Sequence, residues 1–302
     1  MTNYDIIGDI HGHADALEQL LQKMGYRRHQ GIYQNPSRKV VFLGDFIDRG
    51  PKIRETLHIV KDMVDAGFAH AIMGNHEYNA VCFATPNPQK GGFFREHTIK
   101  EIGQHEQTLK QFRHFQEDWT DFLTWFKHLP MFLEFPAFNV VHAYWNAQHI
   151  DWLKAHYHPE SNGLSEAFLF QCTEEGDALN PNIPYMAVEE TLKGAEMRLP
   201  DNAFMVDKEG NIRHECRLKW WAKTKGTMGE GLMECPDSIK SQPMPEKYRA
   251  IFTSDKPIFF GHYWLKGTPE EVNPSAICLD YSIAKDGKLT AYQFDQKKFV
   301  WV

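Results

Sequence analysis

Short apolar runs alternate with amphipathic stretches along the first third of the chain. Tyr4 to Ile7, Val40 to Leu43 and Ala69 to Met73 have the length and composition of buried parallel strands. Ala14 to Met24 and Lys52 to Ala66 carry apolar residues at helical spacing, with Pro51 placed as a helix starter. Strand, loop and helix in repetition predict right-handed crossovers and a parallel sheet. Residues 84–98, with Pro86, Pro88, Gly91 and Gly92, read as a loop. Residues 99–128 read as helical, with Phe112, Phe115, Trp119, Phe122, Trp125 and Phe126 along a packed core face. Phe138 to Val141 and Pro257 to Gly261 read as later strands. Ala276 to Asp280, a turn at Lys285 to Lys288 and Leu289 to Phe294 read as strand, hairpin turn and strand finishing a second sheet.

Each of the first three strands runs into a polar segment framed by glycine: Gly8-Asp9-Ile10-His11-Gly12, Gly44-Asp45-Phe46-Ile47-Asp48-Arg49-Gly50 and Gly74-Asn75-His76-Glu77. Strand C-terminal ends are where open α/β sheets place their ligand crevice. Asp9 and His11 alternate by two, so one loop aims a carboxylate and an imidazole at one cation. Asp45 has two oxygens and can bridge two cations, while Asn75 adds a neutral oxygen donor to a second site. A mixed nitrogen and oxygen ligand set suits manganese, iron, zinc or nickel better than calcium.

The three segments resemble those of the calcineurin-like metallophosphoesterases, in the branch of phosphoprotein phosphatases and symmetrical diadenosine tetraphosphatases. That resemblance implies two further metal-ligating histidines, which match His142 and His262. Many family members outside this branch end in Gly-His-x-His. Here the segment is Gly261-His262-Tyr263-Trp264, which leaves the first metal with Asp9, His11, Asp45 and water. The implied fold is α/β, a two-sheet β-sandwich flanked by helices. The match is strong in the N-terminal third and weaker at 138–142 and 257–281. Two departures stand out: His142-Ala143-Tyr144 replaces the usual His-Ala-Gly, and Met73 stands where an Arg usually precedes Gly-Asn-His-Glu.

The expected cofactors are two divalent metal ions, manganese first, with iron, zinc or nickel as alternatives. A metal pair about 3.5 to 4 Å apart lowers the pKa of a bridging water and supplies hydroxide to phosphorus. His76 follows a ligand without being assigned as one, and can protonate the leaving-group oxygen. Asp48 is the natural partner to orient it and favour its protonated form. Arg49 can clamp phosphate oxygens in bidentate fashion. Asp48 and Arg49 could equally form only a loop ion pair, and His142 and His262 could be capped core histidines.

The 302 residues read as one domain with an insertion over the metal site at about 146–250. This segment holds Gly194-Ala195-Glu196, the turn Asp207-Lys208-Glu209-Gly210-Asn211, and then Arg213, His214, Arg217, Lys219, Trp220 and Trp221. With no Arg before Gly74, Arg217 first and Arg213 second are candidates for substrate binding beside Arg49 and Asn75. Alternatively they are solvated charges flanking a buried Trp pair. Tyr144-Trp145 and Tyr263-Trp264 either line a pocket mouth, where they could stack on a base, or pack beneath the sheet.

Net charge is −7 with no long basic run, which argues against extended nucleic acid as partner. A phosphorylated small molecule or phosphoprotein remains. No charged-then-apolar leader or membrane-length run is visible, and the five scattered cysteines form no Cys-x-x-Cys pair, which points to the cytoplasm without a membrane partner. Oligomeric state is left open. The expected function is hydrolysis of phosphomonoesters by a metal-bridging hydroxide. A symmetrical dinucleoside polyphosphate hydrolase is the first alternative; a binding or scaffold protein with a silent site is an alternative of another class.

Overall fold

A computed structural model describes residues 3–176, 180–200, 203–206 and 212–302. The proposed turn at Asp207 to Asn211 lies outside them. β1 (Asn3–Ile7) leads to α1 (Ala14–Lys23), a hairpin of β2 (Arg27–His29) and β3 (Ile32–Gln34), then β4 (Arg38–Phe42), α2 (Ile53–Asp65), β5 (Ala69–Ala71) and α3 (Asn75–Ala84). Next come α4 (Ile99–Phe112), α5 (Gln116–Lys127), β6 (Phe132–Glu134) and β7 (Asn139–Val141). α6 (Ala147–His156), α7 (Glu166–Cys172) and α8 (Ile183–Lys193) precede short strands β8 (Glu196–Arg198), β9 (Met205–Val206), β10 (Ile212–Arg213) and β11 (Glu215–Arg217), and the single turn α9 (Met228–Gly231). The chain ends through β12 (Ile258–Phe260), β13 (Ala276–Cys278), β14 (Asp280–Tyr281), β15 (Lys288–Gln293) and β16 (Lys298–Trp301).

Two sheets form the centre. In the first, the order is β14-β15-β1-β4-β5, with β16 on β15; β1, β4 and β5 are parallel and β15 is antiparallel. In the second, the order is β13-β12-β7-β6, with β7, β12 and β13 parallel. Period-two alternation divides the apolar runs between two cores. Ile6, Val41 and Leu43 face Phe138, Val140, Phe259 and Ile277 between the sheets. Ile7, Val40 and Phe42 face the other way, into a core with Leu17, Leu20, Leu57, Val60, Phe122 and Phe126 from the helices. The expected sandwich flanked by helices is therefore present, and the five strands that lead into the candidate ligand loops send their C-terminal ends to the same edge.

Three boundaries differ from expectation. The helical stretch 99–128 is two helices, broken at Arg113 to Phe115. In one straight helix Phe112 and Phe122 would stand about 15 Å apart; the break folds α5 back so that their rings lie 5.8 Å apart, with Trp119 4.9 Å from Phe112. Packing the aromatics on one another overrides helical continuity. Pro51 is not the first helical residue, because Lys52 caps α2 and its N–H is already used on the Gly12 carbonyl at 2.8 Å. At the chain end, only β13 belongs to the second sheet. Leu279 carries the chain across, and β14, β15 and β16 complete the first.

Residues 147–193 add Leu153, Phe168, Leu169, Val188 and Leu192 to the helical core. The stretch beyond builds a small core of its own from Met197, Leu199, Cys216, Met228, Leu232, Cys235, Ile239 and Met244. Trp220 and Trp221 join it to the outer face of the second sheet, against Phe260 and Tyr263, and Trp220 Nε1 donates to the Ala143 carbonyl at 3.0 Å. No helix among the described residues is long and apolar enough to cross a membrane. All five cysteines are buried and unpaired.

Candidate metal centre

The loops after β1, β4, β5, β7 and β12 converge on Asp45. Its Oδ1 accepts the His76 N–H at 3.0 Å, at the start of α3, where the helix dipole favours negative charge. Its Oδ2 lies 3.6 Å from His11 Nε2 and 3.9 Å from His76 Nε2, while Oδ1 is 3.4 Å from His142 Nε2. Two groups of ligand atoms thus share one carboxylate: His11, Asp45 and His76, and Asp45, His142 and His262. Asn75 Oδ1 accepts from His142 Nε2 at 3.1 Å and from His262 Nδ1 at 2.8 Å. Asp9 accepts the His262 N–H on both oxygens, at 3.2 and 3.0 Å.

Close backbone approach explains two glycines. Gly44 has φ +89°, and a Cβ there would sit 2.3 Å from the Gly74 nitrogen. A Cβ at Gly261 would fall 1.9 Å from Asp9 Oδ1. Gly12 is also left-handed, at φ +68°, but most of the remaining loop conformation is carried by residues other than glycine. His11, Asp45, Asp48, Arg49, His262 and Trp264 all have positive φ, a state that costs about 1 kcal/mol or more each and persists where surroundings over-determine it.

The donor set fits divalent metal ions. His11 Nδ1 donates to the Ile47 carbonyl at 2.9 Å and His142 Nδ1 to the Leu43 carbonyl at 2.7 Å, so each ring turns Nε2 toward Asp45. His262 Nε2 is buried without a hydrogen-bond partner, an orphan that a cation would satisfy. Burial, then repulsion from Asp280 and Asp45, pushes the Asp9 carboxyl well above its usual range. Burial, then the charges of Arg49 and His76, push His11 down; burial, then Arg217 and His142, do the same to His262. Burial opposes charge on Asp45 and His142, yet each stabilises the other, lowering Asp45 and lifting His142 to about 10. Buried carboxylates crowded with imidazole nitrogens form a donor set whose charge a divalent cation would balance in place of the His142 proton.

Beside this cluster His76 Nδ1 donates to Asp48 Oδ2 at 2.6 Å. Burial would raise the Asp48 carboxyl, but hydrogen bonds from His105 and His76 hold it far below its usual range. Arg49 spreads across His11 and His76, with Nη1 and Nη2 each 3.2 Å from an imidazole Nε2. Its guanidinium carbon lies 4.4 Å from the centre of the Trp264 ring, and Lys285 Nζ lies 2.8 Å from the same centre. Of the four aromatics that follow the late histidines, Trp264 meets Arg49, and Tyr263 stands edge-on to the His262 ring at 5.5 Å. Tyr263 is buried against Trp221, Tyr144 lies against Trp220, and Trp145 against Phe132.

Arg217 stands on β11 with its side chain partly exposed. Its charge acts on His262 and Tyr263, and its Nε is buried without a hydrogen-bond partner, 3.6 Å from Glu196 Oε1. Arg213 is exposed on β10, and its charge is felt by Glu196. Two supporting groups had no assigned role in the sequence reading. Glu77 accepts the backbone N–H groups of Asp45, Phe46 and Gly74 at 2.8, 2.8 and 2.9 Å, tying two ligand loops together; burial, then Asp45, raises it to about 7. Its place in Gly74-Asn75-His76-Glu77 was its signal. Asp280 accepts the N–H groups of Trp264 and Ser282 at 2.7 and 2.9 Å, and no motif marks it.

The model of the calcineurin-like phosphoesterase family matches residues 3–186, and the chain belongs to that family. A protein of Oceanobacillus iheyensis named asymmetrical bis(5'-nucleosyl)-tetraphosphatase PrpE is 32% identical over 146 residues, 46% of this chain and 54% of that one. Its namesake in Bacillus subtilis is 37% identical over 100 residues, 33% and 41% of the two chains. The chain thus spans about half or less of these curated relatives. A Vibrio vulnificus protein named symmetrical bis(5'-nucleosyl)-tetraphosphatase matches end to end, 26% identical over 305 residues, covering 99% of this chain and 97% of that one. Among solved structures, a candidate diadenosine tetraphosphatase superposes with a TM-score of 0.50 at 19% identity, over 100% of this chain and 93% of that one. A cold-active protein tyrosine phosphatase gives a TM-score of 0.50 at 15% identity, over 100% and 78%. At these identities the two structures bear on fold alone.

Proposed function

We propose that the protein is a binuclear-metal-dependent phosphoesterase that hydrolyses phosphomonoesters, on small molecules or phosphoproteins. One observation carries this reading: Asp45 is shared by two ligand groups while His76 and Arg49 are aimed at the same point. Asp9, His11 and Asp45 would hold one ion, and Asp45, Asn75, His142 and His262 the other, with manganese the first candidate and iron, zinc or nickel the alternatives. When bound, such a pair supplies a water of lowered pKa and positive charge for the phosphoryl oxygens.

The chain's own residues do the rest. Arg49 turns its fork from the two imidazoles to the phosphoryl oxygens, held by Trp264 behind it. Arg217, whose Nε makes no hydrogen bond and pairs with Glu196 at 3.6 Å, adds a second positive charge; Arg213 is exposed. His76 holds a proton on Nε2 for the leaving oxygen while Asp48 binds Nδ1–H and stabilises the charged ring. We read the chain as one domain whose segment at about 146–250 supplies Arg217 to the centre. A cytoplasmic setting is part of the proposal, supported by five buried unpaired thiols.

A second reading, a symmetrical dinucleoside polyphosphate hydrolase, is favoured by the end-to-end match to the Vibrio protein of that name. The two separate in one experiment on manganese-loaded protein, with diadenosine tetraphosphate and a phosphomonoester as parallel substrates. Free phosphate from the monoester beside intact dinucleotide supports the first reading. Two ADP per dinucleotide support the second. Neither product, with both metals bound, would remove the proposed activity.

A further inference from the structure

The Asp48 carboxylate is gripped from the side opposite His76. On α4, His105 Nδ1 donates to Asp48 Oδ1 at 2.7 Å and the Thr108 hydroxyl donates to the same oxygen at 2.5 Å. Thr108 Oγ1 also accepts the Asp48 backbone N–H at 3.1 Å. Asp48 Oδ2 is left for His76 alone among these groups, at 2.6 Å. His105 and Thr108 stand three residues apart, on one face of the helix. Both are buried, as is Asp48, and the His105 ring lies 5.4 Å from Phe83 and 5.6 Å from Trp119. Asp48 itself has φ +65°, so its loop alone does not favour the conformation that presents the carboxylate.

From this geometry we infer that His105 is a positioning residue for the reaction: through Asp48 it fixes the aim of His76 at the leaving-group oxygen. The inference rests on His76 acting as the proton donor. Without His105, Oδ1 keeps only the Thr108 hydroxyl, so the carboxylate is less firmly held against rotation about its terminal bond, and the His76 ring bonded to Oδ2 shifts with it. Proton transfer is sensitive to such displacement, since misplacement by about 1 Å costs on the order of a hundredfold. The loss falls hardest on substrates whose leaving group is a strong base, because those depend most on protonation. Placing the support on α4 also makes the aim of His76 depend on how that helix seats against the loop after β4. No sequence motif joins residues so far apart.

The test compares His105→Phe, which keeps a ring against Phe83 and Trp119 but removes the donor, with His105→Asn, which restores a donor near the Nδ1 position. Each is assayed with phenyl phosphate and p-nitrophenyl phosphate, with metal content and thermal unfolding measured alongside. His105→Phe is expected to lower kcat for phenyl phosphate about tenfold more than for p-nitrophenyl phosphate, with KM and both metals unchanged. His105→Asn is expected to recover most of that difference. Equal slowing of both esters, loss of metal, or an Asn variant no better than Phe overturns the inference. If His105→Phe does not fold, Thr108→Val is judged by the same difference between esters. His76→Asn separates the two levels: a steep leaving-group dependence there with a flat one at His105 rejects only the positioning role. A flat series in His76→Asn rejects the proton-donor reading itself, and with it the inference.

Discussion

The ligand loops and the segment from Glu196 to Met244 are held in shape by different forces. In the loops, carboxylates bind backbone N–H groups directly: Glu77 holds Asp45, Phe46 and Gly74, Asp9 holds His262, and Asp280 holds Trp264. Each bond is directional and few other side chains could replace it, so left-handed backbone is tolerated at six non-glycine positions there. The segment relies instead on strand pairs of two or three residues and on a core of Met, Leu, Ile and Cys. Those side chains are adaptable and interchangeable by volume. The contrast teaches why one region is written as motifs and the other is not.

The sharpest way to break the comparison is at the shared carboxylate. Asp45→Asn is expected to abolish paired metal occupancy and lower kcat/KM by about a thousandfold or more, as the loss of a metal-assisted mechanism should; elemental analysis with steady-state kinetics reads both. Both metals retained at full rate would refute the sharing. Glu77→Ala strands the buried N–H groups of Asp45, Phe46 and Gly74, and that of Ile47 at 3.4 Å, at about 1 to 3 kcal/mol for each unsatisfied group. Denaturant unfolding should show a loss of about 3 kcal/mol or more, and a neutral result would mean that water replaces the carboxylate.

In the other region, Leu232→Ala removes a fully buried side chain from the small core. It is expected to destabilise by about 2 to 4 kcal/mol and to raise hydrogen exchange between Glu196 and Met244 while sparing the metals. Exchange spread evenly over both sheets would show that the segment is not a separate cooperative unit. Smallest is Arg217→Gln, expected to raise KM about tenfold with metals retained, the scale of one lost charge-assisted contact. Arg213→Gln, exposed, should change KM less than about twofold; equal effects would erase the distinction between the two arginines.

Much of the site was legible because its parts are local. Asp9 with His11, Asp45 with Asp48 and Arg49, and Asn75 with His76 each lie in one loop, so short spacing carries the geometry. His142 and His262 needed the family resemblance, and the structure brings both to Asn75 Oδ1. The helical stretch 99–128 gives no sign of its break at Arg113 to Phe115, because periodicity cannot see Phe112 meeting Phe122 across a turn. His105 and Thr108 were invisible for the same reason, being 57 and 60 residues from Asp48.

By itself the sequence determined the strand, loop and helix alternation, the placement of polar loops at strand C-terminal ends, and membership of a phosphoesterase family. Those follow from local chemistry: apolar period, glycine at close approaches, and donor types at short spacing. Tertiary structure alone decided which histidine braces Asp48, which arginine acts on His262, and that Trp264 meets Arg49 while Tyr263 is buried against Trp221. Each of these is a contact between residues far apart in the chain, settled by how the two sheets and their helices close on one another.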